Sequence, residues 1–227
     1  MFTKPHRNIF SDRSSLVLRA MLRKPERTWS VRDFLKEGVS IGLANQTLNR
    51  MEDQGYVVRE RHGRNSSSRL VQKDKLLKDW VQAYSLDLNH SELLHFAGIN
   101  FNASFANFMR KQNIPYAYTG FSASRLISSY VLDDRHYIYA DASPEKFKEL
   151  LDSLQNHLGL LKLARGGNVW LAVPYYQSSV FKDAQTLRGV PAVSHLQIFL
   201  DLMKLPAGVE EVDHLKQHFK KKGGTFV

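Results

Sequence analysis

The sequence predicts an α+β fold, on three observations. A helical repeat of about 3.6 residues over 11–55 changes to an alternation of period two on either side of "HGRNSSSR", residues 62–69. Strand-like and helix-like runs interleave from Ile114 onwards. Positive charge is concentrated at one end: residues 1–84 carry 17 Lys and Arg against 9 Asp and Glu, whereas 85–227 carry 15 against 13.

The first helix is predicted in "SDRSSLVLRAMLRKP". Ser11 and Asp12 are cap candidates, Leu16, Ala20 and Leu22 or Arg23 follow the helical turns, and Pro25 stops it. Ser30 is the next N-cap, followed by "VRDFLKEG", with Val31, Phe34 and Leu35 as the inward stripe and Gly38 as the close. Ser40 then caps "IGLANQTLNRMEDQG", in which Ala44, Leu48 and Met51 share a face and Gly55 ends the run. Beyond it, "YVVRER" and "RLVQ" are expected to pair as a hairpin.

Three helices and a hairpin, with the tight "GVS" turn before the third helix, is the order of a winged helix-turn-helix, placed at residues 1–72. The apolar stripe of the third helix leaves Ile41, Gly42, Asn45, Gln46 and Asn49 on the opposite face, with Arg50 towards the edge. Asn and Gln can pair bidentately with adenine in the major groove, and Ser40 at the helix N-terminus suits phosphate. Arg59 and Arg61, two apart on a strand, share one face. Arg64 and Arg69 bracket the turn, and Ser66, Ser67 and Ser68 are small donors that let a backbone approach phosphate. The run "VSIGLANQTLNRMEDQGYVVRE" resembles the turn, recognition helix and basic wing of bacterial transcriptional regulators. The expected partner is double-stranded DNA, bound by two copies of the chain on a repeated operator. His62, without Cys or carboxylate partners at metal spacing, is read as a surface residue.

Residues 73–112 are expected to form connecting helices: "KDKLLKDWVQAYSL", then "HSELLHFAGINFNASFANFMRKQ" with a Phe stripe suited to a core or a subunit interface. Residues 113–227 form the predicted α+β C-terminal domain. "IPYAYTG" and "RHYIYAD" read as strands around the helix "FSASRLISSY". "SPEKFKELLDSLQNHLG" reads as a helix with Ser143 as cap, Pro144 at its first position and Gly159 as stop. "LLKLAR" and "NVWLAVP" read as a hairpin joined at "GGN", and "VSHLQIFLDLMKLP" and "VEEVDHLKQHFKKKGG" as the last helices.

"YTGFSASRL", "YIYAD", "NVWLAVPY" and "GVPAVSHLQIFLDLMKLP" together resemble the C-terminal part of the AbiEi family of type IV antitoxins, over most of residues 115–206. That resemblance implies a winged-helix repressor of its own promoter. It also implies neutralisation of a nucleotidyltransferase-like toxin without a stable toxin–antitoxin complex.

The C-terminal domain also resembles a degenerate nucleotidyltransferase-like fold, which makes that enzyme the main catalytic alternative. The chemistry needs two carboxylates two apart on a strand to hold metal ions. "IYAD" offers Asp141 with Tyr139 in the paired position, and Asp133 and Asp134 are adjacent and precede the strand. "RGGN" is no phosphate-binding loop. His214 and His218 share a helical face without a third ligand, and Lys220 to Lys222 suit a helix C-terminus. A further alternative is a ligand-sensing regulator, with Tyr116, Tyr118, Trp170, Tyr175 and Tyr176 around a small molecule.

Cysteine is absent, which excludes disulfides and thiolate zinc sites. No apolar run approaches the ~20 residues of a membrane span, and the N-terminus lacks a secretory signal, so a cytoplasmic, nucleoid-associated location is expected. The function expected is therefore a sequence-specific DNA-binding repressor and antitoxin, without enzymatic activity, metal or cofactor.

Overall fold

The contacts in the computed structural model, which describes residues 8–61, 66–128, 130–163 and 165–227, divide the chain into two units, one up to Tyr84 together with Val227 and the other Ser85–Phe226. In the first, helix α1 (Asp12–Arg23) ends just before Pro25, whose ring disfavours helical backbone at the preceding residue. Strand β1 (Trp29–Ser30) leads into a 3-10 helix, Val31–Glu37. Ser30 and Asp33 satisfy each other's backbone amides in a capping box, and Gly38 closes the turn at φ 82, a left-handed conformation that glycine adopts without a Cβ penalty.

The inward stripe expected here is corrected at one position. Phe34 is fully buried, but Leu35 is 52% exposed. A 3-10 helix has three residues per turn, so positions 31 and 34 eclipse while 35 rotates outward.

Helix α2 (Ile41–Asp53) starts at Ser40, whose Oγ accepts from the Leu43 amide at 3.3 Å. It buries Ala44, Thr47, Leu48 and Met51. Strands β2 (Val57–Glu60) and β3 (Ser67–Leu70) pair antiparallel from Val57↔Leu70 to Glu60↔Ser67, and β1 pairs with the other edge of β3. Helix α3 (Lys73–Ala83) contributes Leu76, Leu77 and Trp80 to the core of this same unit. Phe10 stacks on Trp80 with centroids 5.8 Å apart, and the Tyr56 hydroxyl donates to Asp79 at 2.7 Å. Burial and the neighbouring carboxylate both push the Tyr56 phenol well above its ordinary value.

The second unit is built on a seven-stranded mixed sheet of order β7-β4-β8-β6-β5-β10-β9. Its strands are β4 (His90–His95), β5 (Tyr116–Tyr118), β6 (His136–Ala140), β7 (Leu161–Lys162), β8 (Val169–Val173), β9 (Gln185–Leu187) and β10 (Val190–Ala192). The helices are α4 (Phe101–Lys111), α5 (Gly120–Ile127), α6 (Pro144–Leu158), α7 (His195–Leu202) and α8 (Gly208–Lys221).

Two expectations are corrected. Residues 90–95 are a strand rather than the start of the Phe-rich helix, because His90 to Leu94 pair with Val173 to Val169 of β8. The predicted hairpin of "LLKLAR" with "NVWLAVP" does not form, since β4 lies between β7 and β8 and pairs with both. The Phe stripe is core: Phe101, Phe105 and Phe108 are all buried. Among the described residues, no helix is long and apolar enough to cross a membrane.

Candidate nucleic-acid interface

Helix α2 buries one face and turns the other outward. Ser40, Ile41, Gly42, Asn45 and Gln46 are exposed, and Asn49 and Arg50 are half-buried. The outward face is polar apart from Ile41, which is 49% exposed. Gly42 has open space where a Cβ would project, with no heavy atom of the described residues within 4 Å. Internal packing therefore does not require glycine there.

The strand that runs beside this helix was expected to turn Arg59 and Arg61 to one side, and alternation does place them together. The side is the one facing α2. Val57 is buried, so Arg59, two residues on, is buried with it at 9% exposure, opposite the buried Ser68 in the register. Arg59 Nη2 donates to Asn45 Oδ1 at 3.0 Å, and Nη1 donates to Asn49 Oδ1. Its Nε is buried and has no hydrogen-bond partner among the described residues. Burial lowers the Arg59 guanidinium, the like charge of Arg61 adds to this, and Glu52 opposes it.

Arg61, at the end of the strand, is exposed and pairs with Glu52 of α2, with Nη1 3.1 Å from Oε1 and a second bond from Nη2 to Oε2. These bonds hold the Glu52 carboxyl below its ordinary range, so the pair is intact above the normal glutamate value and is lost as pH falls through the lowered one. Arg69 is exposed and sits opposite Val58, on the other face of the hairpin from Arg59. Ser66 and Ser67 are half-buried. Arg64 and His62 lie outside the described residues.

Thus α2 and the hairpin form one surface, in which two of the asparagines are bonded to an arginine that the sequence places beside them only through the strand register. No local signal points to this bond, because Val57 and Val58 are both apolar and only the fold buries the first and exposes the second.

In the second unit, Tyr139 occupies the position where a metal-binding carboxylate pair would need its partner. Its hydroxyl is buried and donates to Asp201 Oδ1 at 3.1 Å. Asp201 also accepts from Gln197 Nε2 at 2.9 Å and from the Thr119 hydroxyl. Asp133 is taken up by Arg135, at 3.1 Å from Nε and 2.5 Å from Nη2, which holds the carboxyl low against the opposing effect of burial. His214 Nε2 lies 2.8 Å from Ser128 Oγ, and its ring stacks on Tyr130. Among the described residues, no group of three or more His, Asp or Glu is placed to hold a metal ion.

The tyrosines considered for a small-molecule pocket pack in separate places. Tyr116 and Tyr118 lie with Phe105 and His136, Trp170 lies with Tyr137 and Tyr139, and Tyr175 lies with Tyr176. A cavity of about 470 Å³ lies elsewhere, lined by Phe108, Asn113, Asp141, Ser143 and Lys146 among others.

Residues 69–215 match the family model described as "Transcriptional regulator, AbiEi antitoxin, Type IV TA system". Neither a curated protein nor a solved structure matches the chain.

Proposed function

The chain belongs to the AbiEi family of type IV antitoxin transcriptional regulators, and from this premise we propose that it is a sequence-specific DNA-binding repressor of its own promoter. On this reading residues 8–72 act as a winged helix-turn-helix. Helix α2 enters the major groove, and the β2–β3 hairpin holds phosphates or the minor groove. Two copies bind a repeated operator, and the toxin is neutralised without a stable complex. The C-terminal unit performs no catalysis in this scheme.

The observation that carries the proposal is Gly42. It sits in the first turn of α2, on the outward face, where a Cβ would meet no heavy atom of the described residues within 4 Å. Glycine inside a helix costs about 0.5–1 kcal/mol relative to alanine, and no neighbour in the fold offsets that. A surface to which another backbone or a phosphate comes close does account for it, particularly at a helix N-terminus where the free amides favour anions. Gly42→Ala is therefore expected to raise thermal stability slightly while weakening operator binding, two changes of opposite sign. Thermal denaturation and an electrophoretic shift with the promoter fragment read them. An alanine variant that binds as tightly as the parent would remove the support for groove entry by this face.

Glu52 provides a second measurement. It neutralises Arg61 and adds a negative charge beside the phosphates expected there. Glu52→Gln should tighten binding to all DNA sequences alike by removing that repulsion, without adding a phosphate contact, and an electrophoretic shift with unrelated DNA reads the change.

A further inference from the structure

We propose that Arg59 is a positioning residue that holds the side-chain oxygens of Asn45 and Asn49 and leaves their NH₂ groups outermost, so that α2 reads acceptor edges in the major groove, guanine N7 and O6 or thymine O4. This rests on the DNA-binding reading given above.

A guanidinium carries five N–H donors and no acceptor. The carboxamide atom that faces it must therefore be the oxygen, and for both asparagines it is. Asn45 and Asn49 are one helical turn apart on α2, so a single guanidinium beneath the helix can hold both oxygens at once. Each side chain then presents its NH₂ group away from Arg59. Asn45 is exposed and Asn49 half-buried, so these donors face the surface that would meet a base edge.

Bidentate pairing of asparagine with adenine needs both ends of the amide: the oxygen accepts from the 6-amino group while the nitrogen donates to N7. Here the oxygen is drawn inward by a charge-assisted bond, which is stronger than a neutral one. The bond also withdraws electron density from the amide and makes its N–H groups better donors. Guanine O6 stands where adenine carries its 6-amino donor, and thymine O4 is likewise an acceptor.

Stability does not explain the arginine. A buried charge that, among the described residues, donates to no carboxylate and leaves its Nε unpartnered is a costly way to fill that place. A hydrophobic residue of similar volume is often as stable or more so.

The test begins with selection of preferred sites from random DNA by the full-length protein, and with Asn45→Ala to identify the base positions that side chain reads. Base analogues at those positions leave the protein unchanged. Replacing guanine by 7-deazaguanine, or thymine by 4-thiothymine, should weaken binding roughly tenfold at a contacted position. Replacing adenine by purine, which deletes the 6-amino group, should have no effect. Arg59→Met should relax preference at the same positions as Asn45→Ala while the salt dependence of affinity stays unchanged.

The inference is overturned if purine-for-adenine weakens binding and neither deletion of guanine N7 nor weakening of the thymine O4 acceptor does. It is equally overturned if Arg59→Met lowers the salt slope by about one with base preference intact, since Arg59 would then be a phosphate contact. Should the parent protein select no sequence at all, the DNA-binding reading fails first and this inference with it. The analogue measurements remain decisive even if Arg59→Met does not fold.

Discussion

Replacement of Asp201 by alanine is expected to destabilise the C-terminal unit by about 3–5 kcal/mol, the cost of removing one partner from a buried, fully engaged polar group. Asp201 is 1% exposed and accepts from Thr119 at the end of β5, Tyr139 on β6 and Gln197 one turn earlier on α7. Its removal strands all three donors away from water and detaches α7 from the middle of the sheet. Asp201→Asn keeps the shape and exchanges one acceptor for a donor, so a smaller loss of about 1–3 kcal/mol is expected. Chemical denaturation gives the magnitude. Hydrogen exchange gives the location: protection should fall in β5, β6 and α7 and persist in α1 and α2. An unchanged midpoint for the alanine variant would show that the cluster is not what joins these elements.

The second large effect falls on binding. Arg61 and Arg69 are both exposed; Arg61 follows β2 and turns towards Glu52 of α2, and Arg69 sits opposite Val58 on the other face of the hairpin from Arg59. On the proposed function, Arg61→Ala with Arg69→Ala is expected to weaken binding to specific and unrelated DNA alike by about ten- to a hundredfold, and to lower the salt slope by about two, one for each lost phosphate contact. Sequence preference should survive. Binding isotherms at several salt concentrations measure both quantities, and an unaltered slope would contradict wing docking. Neither side chain packs in the core, so the melting temperature should move little.

Local signals made the helices and the hairpin of the first unit readable in the sequence. Ser40, the Ala44–Leu48–Met51 stripe and Gly55 each act within a few residues of where they stand, and the structure places α2 between them. Leu35 was misread because apolar spacing does not distinguish an α-helix from a 3-10 turn, in which that residue rotates outward. Strand β4 was misread for a different reason. "SELLHF" fits either period, and its state is decided by β8, far away in sequence. Strands β9 and β10, three residues each, are too short to show a period at all.

The same limit applies to the candidate interface. Residue type and spacing pointed to Asn45, Asn49 and Arg59 singly. That the arginine lies inside, bonded to both asparagines, depends on which of Val57 and Val58 turns inward, and nothing in "YVVRER" chooses between two adjacent valines.

The strand order of the C-terminal sheet carries a kinetic consequence. Strand β4 finds its main partner only in β8, and β5 pairs in parallel with β10, both much later in the chain. Long loops must close before those pairings return any stabilisation, which slows folding. The strand pairings of the first unit close within residues 29–70, and the elements they join all precede β4 in the chain. During synthesis that unit can therefore fold while β4 is still waiting for β8, with Leu94 and its neighbours unpaired. Stopped-flow refolding should accordingly resolve a fast phase for the first unit and a slower one for the second.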